Sequence, residues 1–290
     1  MPLTVLSIQS HVVAGHVGND AAAFALQRLG IEVWPIHTVQ FSNHPGHGAW
    51  TGLAFDAAHV RSLIDGPDAR GYLRNVEAVL SGYIGSAETG AVIAETVARV
   101  NAQHAAAIYC CDPVMGDIGP GLFVAPAVPA FFAKTALPVA DIVTPNVFEL
   151  SLLTGIPVAA LASTAASVAA ARSLIERGPR VVLVTSARRQ HARSEERIGT
   201  FAVTAREAWA VTTLFVSLTP MPNGMGDCIA ALFLGRYLQH HDIARSLSQS
   251  VSSLYALVRG TDANMPRDLN LIAMQDALLQ PREMFAAELL

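Results

Sequence analysis

Short apolar runs of strand length alternate with longer stretches of helical periodicity along nearly the whole chain, and this alternation most narrows the folds open to it. Runs at 3–8, 32–36, 77–81, 106–111, 141–144 and 180–185 are rich in Val, Ile and Leu and end in turn residues. Helical patterns at 20–29, 88–101, 147–153 and 163–177 fall between several of them, the first stopped by Gly30. Strands that are apolar throughout need cover on both faces, so the pattern predicts a mostly parallel central sheet with helices on both sides, an α/β fold. Segments 197–203 and 208–216 read as a late antiparallel pair, followed by helices at 226–237, 242–258 and 271–279. The Ala-rich stretch 159–171 is a good helix former rather than a linker, and no repeat or break divides the 290 residues, so a single domain is expected.

Composition closes off several functions. A formal charge of −4 provides no basic field for nucleic acid or an anionic membrane surface. No apolar run approaches the ~20 residues that span a bilayer. Residues 1–4 lead into a strand rather than a charged signal-peptide start, so a cytoplasmic protein is expected. Cys110, Cys111 and Cys228 are odd in number, lack C-x-x-C spacing and sit among apolar neighbours, which predicts buried thiols and neither a disulfide framework nor a zinc site. Lys134 is the only lysine, on the expected solvated side of a short helix, so a Schiff-base role is not indicated and no Walker-type phosphate loop exists.

Chemistry enters at Gly224-Met225-Gly226-Asp227, set directly before the apolar run 229–234. Two glycines allow a tight turn with its N–H groups outward, and the helix that follows adds its positive dipole end, so an anion is welcome there. An acid at that point suits a base that takes a proton from an attacking hydroxyl while the amides hold developing charge. The same four residues also fit a plain glycine turn with an Asp capping a helix.

In a parallel sheet, ligands bind where the strands end, and those segments are polar and glycine-rich here. The first strand is followed by Gln9-Ser10-His11 and Gly15-His16-Val17-Gly18-Asn19, the second by Thr38-Val39-Gln40-Phe41-Ser42-Asn43-His44-Pro45-Gly46. Ser81-Gly82-Tyr83-Ile84-Gly85, Asp112-Pro113-Val114-Met115-Gly116-Asp117 and Thr144-Pro145-Asn146-Val147-Phe148-Glu149 follow the next three. Each alone is ordinary turn chemistry; together at one sheet edge they point to a site.

In this order and at this spacing, S-I-Q-S-H-V, G-H-V-G-N, V-Q-F-S-N-H, S-G-Y-I-G-S, C-D-P-V-M-G-D, T-P-N-x-x-E and G-M-G-D resemble the pyridoxal kinases of the ribokinase superfamily over nearly the whole chain. The first, third and fourth motifs point to pyridoxal kinases specifically; the last three are shared with hydroxymethylpyrimidine and sugar kinases. The resemblance implies a ribokinase-like fold and ATP-dependent phosphorylation of the 5′-hydroxyl of pyridoxal, and of pyridoxine or pyridoxamine. It also implies a homodimer that uses Mg²⁺, with a monovalent cation as a further candidate.

By that resemblance Asp227 is the base and the amides of Gly224, Met225 and Gly226 form the anion hole. Ser10, Val17, Pro45, Gly46 and Tyr83 meet the pyridine ring, Tyr83 and Val17 across its faces. Asp112, Asp117 and Glu149 share duty around the metal and the ATP phosphates rather than forming a protein-only cage. Thr144, Thr185 and Ser186 meet the phosphates, and Pro220, Met221, Pro222 and Asn223 run past the adenosine. Thr38 is expected to be structural. Without the resemblance, Asp112 is a turn acid, Asn146-x-x-Glu149 a helix start, and Tyr83 a core aromatic.

Two departures from the family pattern bear on activity. Pro45 stands where many of the family have a threonine, so a substrate atom bonded there would turn to water or to the Gly46 amide. Met225 replaces a smaller residue in the anion hole and narrows its entrance. The competing readings are a hydroxymethylpyrimidine-type kinase, against which the Ser10 and Ser42-Asn43-His44 segments speak, and a non-catalytic pyridoxal- or pyridoxal-phosphate-binding protein, against which Asp227 speaks.

Overall fold

The computed structural model describes residues 3–190, 196–261 and 267–290. Met1 and Pro2, half of the segment on which the signal-peptide reading rests, lie outside them. In chain order the elements are β1 (Thr4–Ala14), α1 (Asn19–Arg28), β2 (Glu32–Asn43), β3 (Gly52–Ala54), α2 (Ala57–Ala69), β4 (Ala78–Ser81), α3 (Ala87–Gln103) and β5 (Ile108–Cys111). Next come β6 (Gly116–Asp117), β7 (Gly121–Leu122), α4 (Val128–Phe131), β8 (Ile142–Val143), α5 (Val147–Thr154), α6 (Thr164–Ile175) and β9 (Val181–Gln190). The chain closes with β10 (Glu196–Val203), β11 (Ala208–Leu214), α7 (Met225–His240), α8 (Ile243–Arg259), α9 (Gln275–Leu279) and β12 (Glu288–Leu289).

Ten strands form one sheet in the order β12-β11-β10-β9-β8-β5-β4-β1-β2-β3. The run from β9 through β2 is parallel, while β10, β11, β12 and β3 are antiparallel additions at the two edges. Strand β4 is buried along its whole length, as a strand covered on both faces must be. One core packs α2, α3, α5 and α6 side chains such as Ile64, Ile93, Leu150 and Leu174 against Leu6 and Ile8 of β1. The other packs α1, α7 and α8, including Leu26, Phe233 and Leu257, against Val5 of the same strand. Neighbours β2 and β4 flank β1 while the chain visits them in turn, so the crossover direction reverses at β1 and opens a crevice beyond its end.

The strands differ from the sequence reading most at their carboxyl ends. Residues 9–11 and 38–43 are not loops: β1 and β2 continue, paired, to Ala14 and Asn43. Buried polar residues are tolerated there because they are hydrogen-bonded, Gln9 to Ser7 Oγ and Thr38 to the Tyr83 carbonyl. Helix α2, the β6–β7 hairpin, β3 and β12 were not apparent in the sequence, whereas 271–279 is helical only over α9. All three cysteines are buried free thiols, with Cys111 and Cys228 pushed up to about 12 by burial.

Candidate active site

Ser10 sits in a flaw in the sheet. Between Gln9 and His11 the β1–β2 register slips, so that Thr38 and Val39 together oppose Ser10 alone, a bulge that re-aims side chains at the strand end. Gly18 is pressed onto this bulge: a Cβ there would lie 2.3 Å from both the carbonyl oxygen and Oγ of Ser10, and φ is +55°, so only glycine fits. Val17, in the loop 15–18, is buried. Tyr83 is half-buried just after β4, which pairs with β1 on the side away from β2. Fully buried Thr38 donates through Oγ1 to the Tyr83 carbonyl at 2.7 Å, the structural role expected of it. Pro45 opens a short 3₁₀ turn capped by His44, whose Nδ1 accepts the Gly46 N–H at 3.1 Å. The Gly46 amide is therefore already engaged and does not stand in for the hydroxyl that Pro45 lacks.

The phosphoryl-transfer side is built from two helix starts. Gly224 takes a left-handed conformation (φ +82°) with the His16 carbonyl oxygen 2.0 Å from where a Cβ would stand, which locks the turn against the 15–18 loop. The ladder of α7 begins with Cys228 N–H donating to the Gly224 carbonyl at 2.9 Å, so the amides of Met225 and Gly226 precede it and point along the helix axis. Asp227 in the first turn accepts from the Gly18 backbone N–H at the start of α1 and from its own. Desolvation nevertheless outweighs these bonds and raises its carboxyl above the ordinary range, with Asp20 adding to the effect.

Asp112, buried after β5, lies across from that turn, its Oδ2 4.0 Å from a Cβ position on Gly226. Thr144 Oγ1 donates to its Oδ1 at 2.8 Å. Burial and the nearby Asp227 push the Asp112 carboxyl up to about 7. Glu149, also buried, is raised by desolvation and by Asp112. Both of its oxygens accept backbone N–H groups, Oε1 from Met115 and Oε2 from Asn146, each at 2.9 Å. Asn146 Oδ1 accepts the Glu149 N–H in return, so Asn146-x-x-Glu149 is a capping box that starts α5. The helix-start reading of that motif is thus a fact of the fold. Asp117 is exposed on the β6–β7 hairpin, its Oδ1 accepting the Ile118 N–H. Among the described residues no three His, Cys, Asp or Glu side chains converge as a metal cage. What the structure provides is one buried carboxylate oxygen, Asp112 Oδ2, amid uncompensated negative charge, which fits a magnesium ion held mainly by phosphates and water.

Thr185 and Ser186 occupy a second bulge. The β9–β10 register slips between Gly199 and Phe201, so the two residues oppose Thr200 alone, and Ser186 takes φ +59°, unusual for a residue with a side chain. Thr185 N–H donates to Pro145 O and the strand bridges Asn146, which ties this bulge to the Asp112–Glu149 group. Segment 220–223 leads straight into Gly224, with Pro222 buried and Asn223 tied to the loop at 44–47. The sequence reading passed over several polar residues. Ser7, Gln9, Asn19 and His37 form a chain of hydrogen bonds beneath the crevice, and His11 pairs with Asp20 at 3.2 Å. His47, Arg267 and Asp268 close its rim. His11, Asn19, His37 and His47 lay inside or beside quoted motifs, but Asp268 had no local signal.

A phosphomethylpyrimidine kinase family model matches residues 70–267. The chain is 51% identical over 292 residues to pyridoxal kinase PdxY of Deinococcus radiodurans, covering 99% of this chain and 97% of that one. It is 45% identical over 286 residues to pyridoxal kinase PdxY of Corynebacterium diphtheriae, covering 99% of each. Among solved structures, the Leishmania donovani pyridoxal kinase in complex with ADP and pyridoxamine superposes with a TM-score of 0.87 at 27% identity over 99% of both chains. The Entamoeba histolytica pyridoxal kinase gives 0.90 at 23% identity over the full length of both, a likeness of fold.

Proposed function

The chain belongs to the pyridoxal kinases, within the phosphomethylpyrimidine kinase family, and from that premise we propose how its site divides the work. The enzyme is an ATP-dependent pyridoxal kinase with a ribokinase-like fold. The pyridine ring rests in the crevice between Ser10, Val17, Tyr83 and the turn at Pro45 and Gly46, with its 5′-hydroxyl toward Asp227. Pyridoxine and pyridoxamine enter the same crevice. ATP lies along Thr144, Thr185, Ser186 and 220–223, its γ-phosphate in the anion hole of Gly224, Met225 and Gly226.

Asp227 is suited to the proton transfer because desolvation makes its carboxylate a stronger base than one in water. As the 5′-oxygen bonds to the γ-phosphorus and the bond to the β–γ bridging oxygen breaks, the hydroxyl proton passes to Asp227. ADP and pyridoxal 5′-phosphate are the products. The helix amides take up the charge of the transferring group, a fixed dipole that needs no rearrangement during the reaction. Asp112, with Glu149 and Asp117, would hold a Mg²⁺ ion, which would supply neutralisation of the phosphates. A monovalent cation, a homodimer and a cytoplasmic location complete the proposal; no helix among the described residues is long and apolar enough to cross a membrane.

The observation that carries this reading is a single buried-edge carboxylate, Asp227, set where the starts of α1 and α7 meet, opposite Asp112. A coupled assay of ADP release with pyridoxal, pyridoxine, pyridoxamine and hydroxymethylpyrimidine tests it. Turnover with pyridoxal that stops with chelator and returns with magnesium is expected. Turnover with hydroxymethylpyrimidine alone, or indifference to chelator, would contradict it.

A further inference from the structure

The turn that carries Pro45 and Gly46 is fastened at its far end to the turn that carries the base. Asn223, the residue before Gly224, directs its Nδ2 to the Arg267 carbonyl at 2.9 Å and to His47 Nε2 at 2.9 Å. The first contact fixes which way the amide points, because only its nitrogen can donate to a carbonyl. His47 Nε2 is then the acceptor in the second. That assignment accounts for Asp268 Oδ1, which lies 3.4 Å from His47 Nε2 and is buried without a hydrogen-bond donor among the described residues. The Asn223 N–H also donates to Arg267 O, and Arg267 donates to the His47 carbonyl at 3.4 Å. The His47 and Asp268 side chains are only 13% and 18% exposed, so this is a packed joint and not a surface contact.

We propose that His47 is a positioning residue: by accepting from Asn223 it fixes the ring-binding turn and the phosphoryl-transfer turn relative to one another. The role rests on the pyridoxal kinase reading of the site. A loop held only by β2 and β3 would set how well the ring binds. A loop joined through Asn223 to Gly224 also sets where the anion-hole amides and Asp227 sit when the ring arrives, so one contact governs both binding and transfer. His47 touches neither the ring nor the phosphates in this scheme.

The test compares His47→Ala with His47→Gln, since the Gln Oε1 reaches about as far as Nε2 and accepts the same hydrogen bond. For His47→Ala, KM for pyridoxal rises and kcat falls, together lowering kcat/KM by roughly two- to ten-fold, the range of one neutral hydrogen bond. His47→Gln returns both altered constants to near wild type. Hydrogen exchange on the ligand-free protein gives a readout that needs no turnover: amides at 223–227, as well as 44–48, exchange faster in the alanine variant than in the other two proteins. Unchanged kcat with unchanged exchange at 223–227 would overturn the proposal, as would equal impairment of the alanine and glutamine variants. If the wild type does not phosphorylate pyridoxal in the same assay, the functional reading fails, and the exchange data still decide the joint.

Discussion

Three acids stand in a row at this site, and each is more basic than an acid in water because burial removes the solvation its charge needs. For Asp112 the folded value of about 7 lies above the ordinary 3.8, so the folded protein binds a proton that the unfolded chain has released. The stability from that proton is complete below about pH 4 and is lost as pH rises through about 7. Asp112→Asn keeps an acceptor for Thr144 and removes the charge. Without metal or nucleotide it should be more stable than wild type at pH 8, by roughly 1–3 kcal/mol, and the gap should narrow at pH 5. Denaturant titrations at the two pH values measure this; a variant weaker than wild type at pH 8 would show that Asp112 is already compensated. The Gly46 amide is occupied by His44, so, if the ring lies against this turn as proposed, neither Pro45 nor Gly46 offers it a hydrogen-bond donor. Pro45→Thr should lower KM for pyridoxal a few-fold, within the ~0.5–1.5 kcal/mol of one such bond, and leave KM for ATP alone. A raised pyridoxal KM would mean that the turn depends on the fixed φ of proline.

The elements place these residues through two strand flaws and two helix starts. Bulges lie at Ser10 and at Thr185–Ser186, and the first turns of α1 and α7 meet at Asp227. Gly224 is the hinge of that arrangement. Gly224→Ala adds a methyl group 2.0 Å from the His16 carbonyl in a left-handed conformation, so it should cost roughly 2 kcal/mol or more and most of the turnover. A variant within about 0.5 kcal/mol of wild type by denaturant midpoint would show that the 15–18 loop yields freely. The helix starts could be read from the sequence, because Gly-x-Gly-Asp and Asn-x-x-Glu are local signals, and so could the parallel strands, whose apolar runs are continuous. The carboxyl ends of β1 and β2 could not: Gln9-Ser10-His11 is polar, and it is held as strand by pairing with a segment about 30 residues away. Likewise Asn146-x-x-Glu149 announced a helix start and a site residue at once, but only the fold shows that both Glu149 oxygens are spent on backbone amides. His47 and Asp268 meet across more than 200 residues, beyond the reach of any spacing rule.

Across the whole molecule, the reversal of crossovers at β1 sets the crevice between the ends of β1 and β4. The family-model match begins at residue 70, and the segment before it contains Ser10, Val17, Pro45 and Gly46. If the chain is a homodimer, light scattering on the purified protein should give about twice the mass of one 30.6 kDa chain; the mass of a single chain would exclude that assembly. The central claim is that Asp227 takes the proton of the pyridoxal hydroxyl during transfer from ATP. Steady-state turnover of Asp227→Asn with saturating ATP, magnesium and pyridoxal tests it most directly: kcat should fall by roughly 10²- to 10⁴-fold with ATP affinity within a few-fold of wild type. A variant that keeps more than about a tenth of wild-type kcat would contradict it.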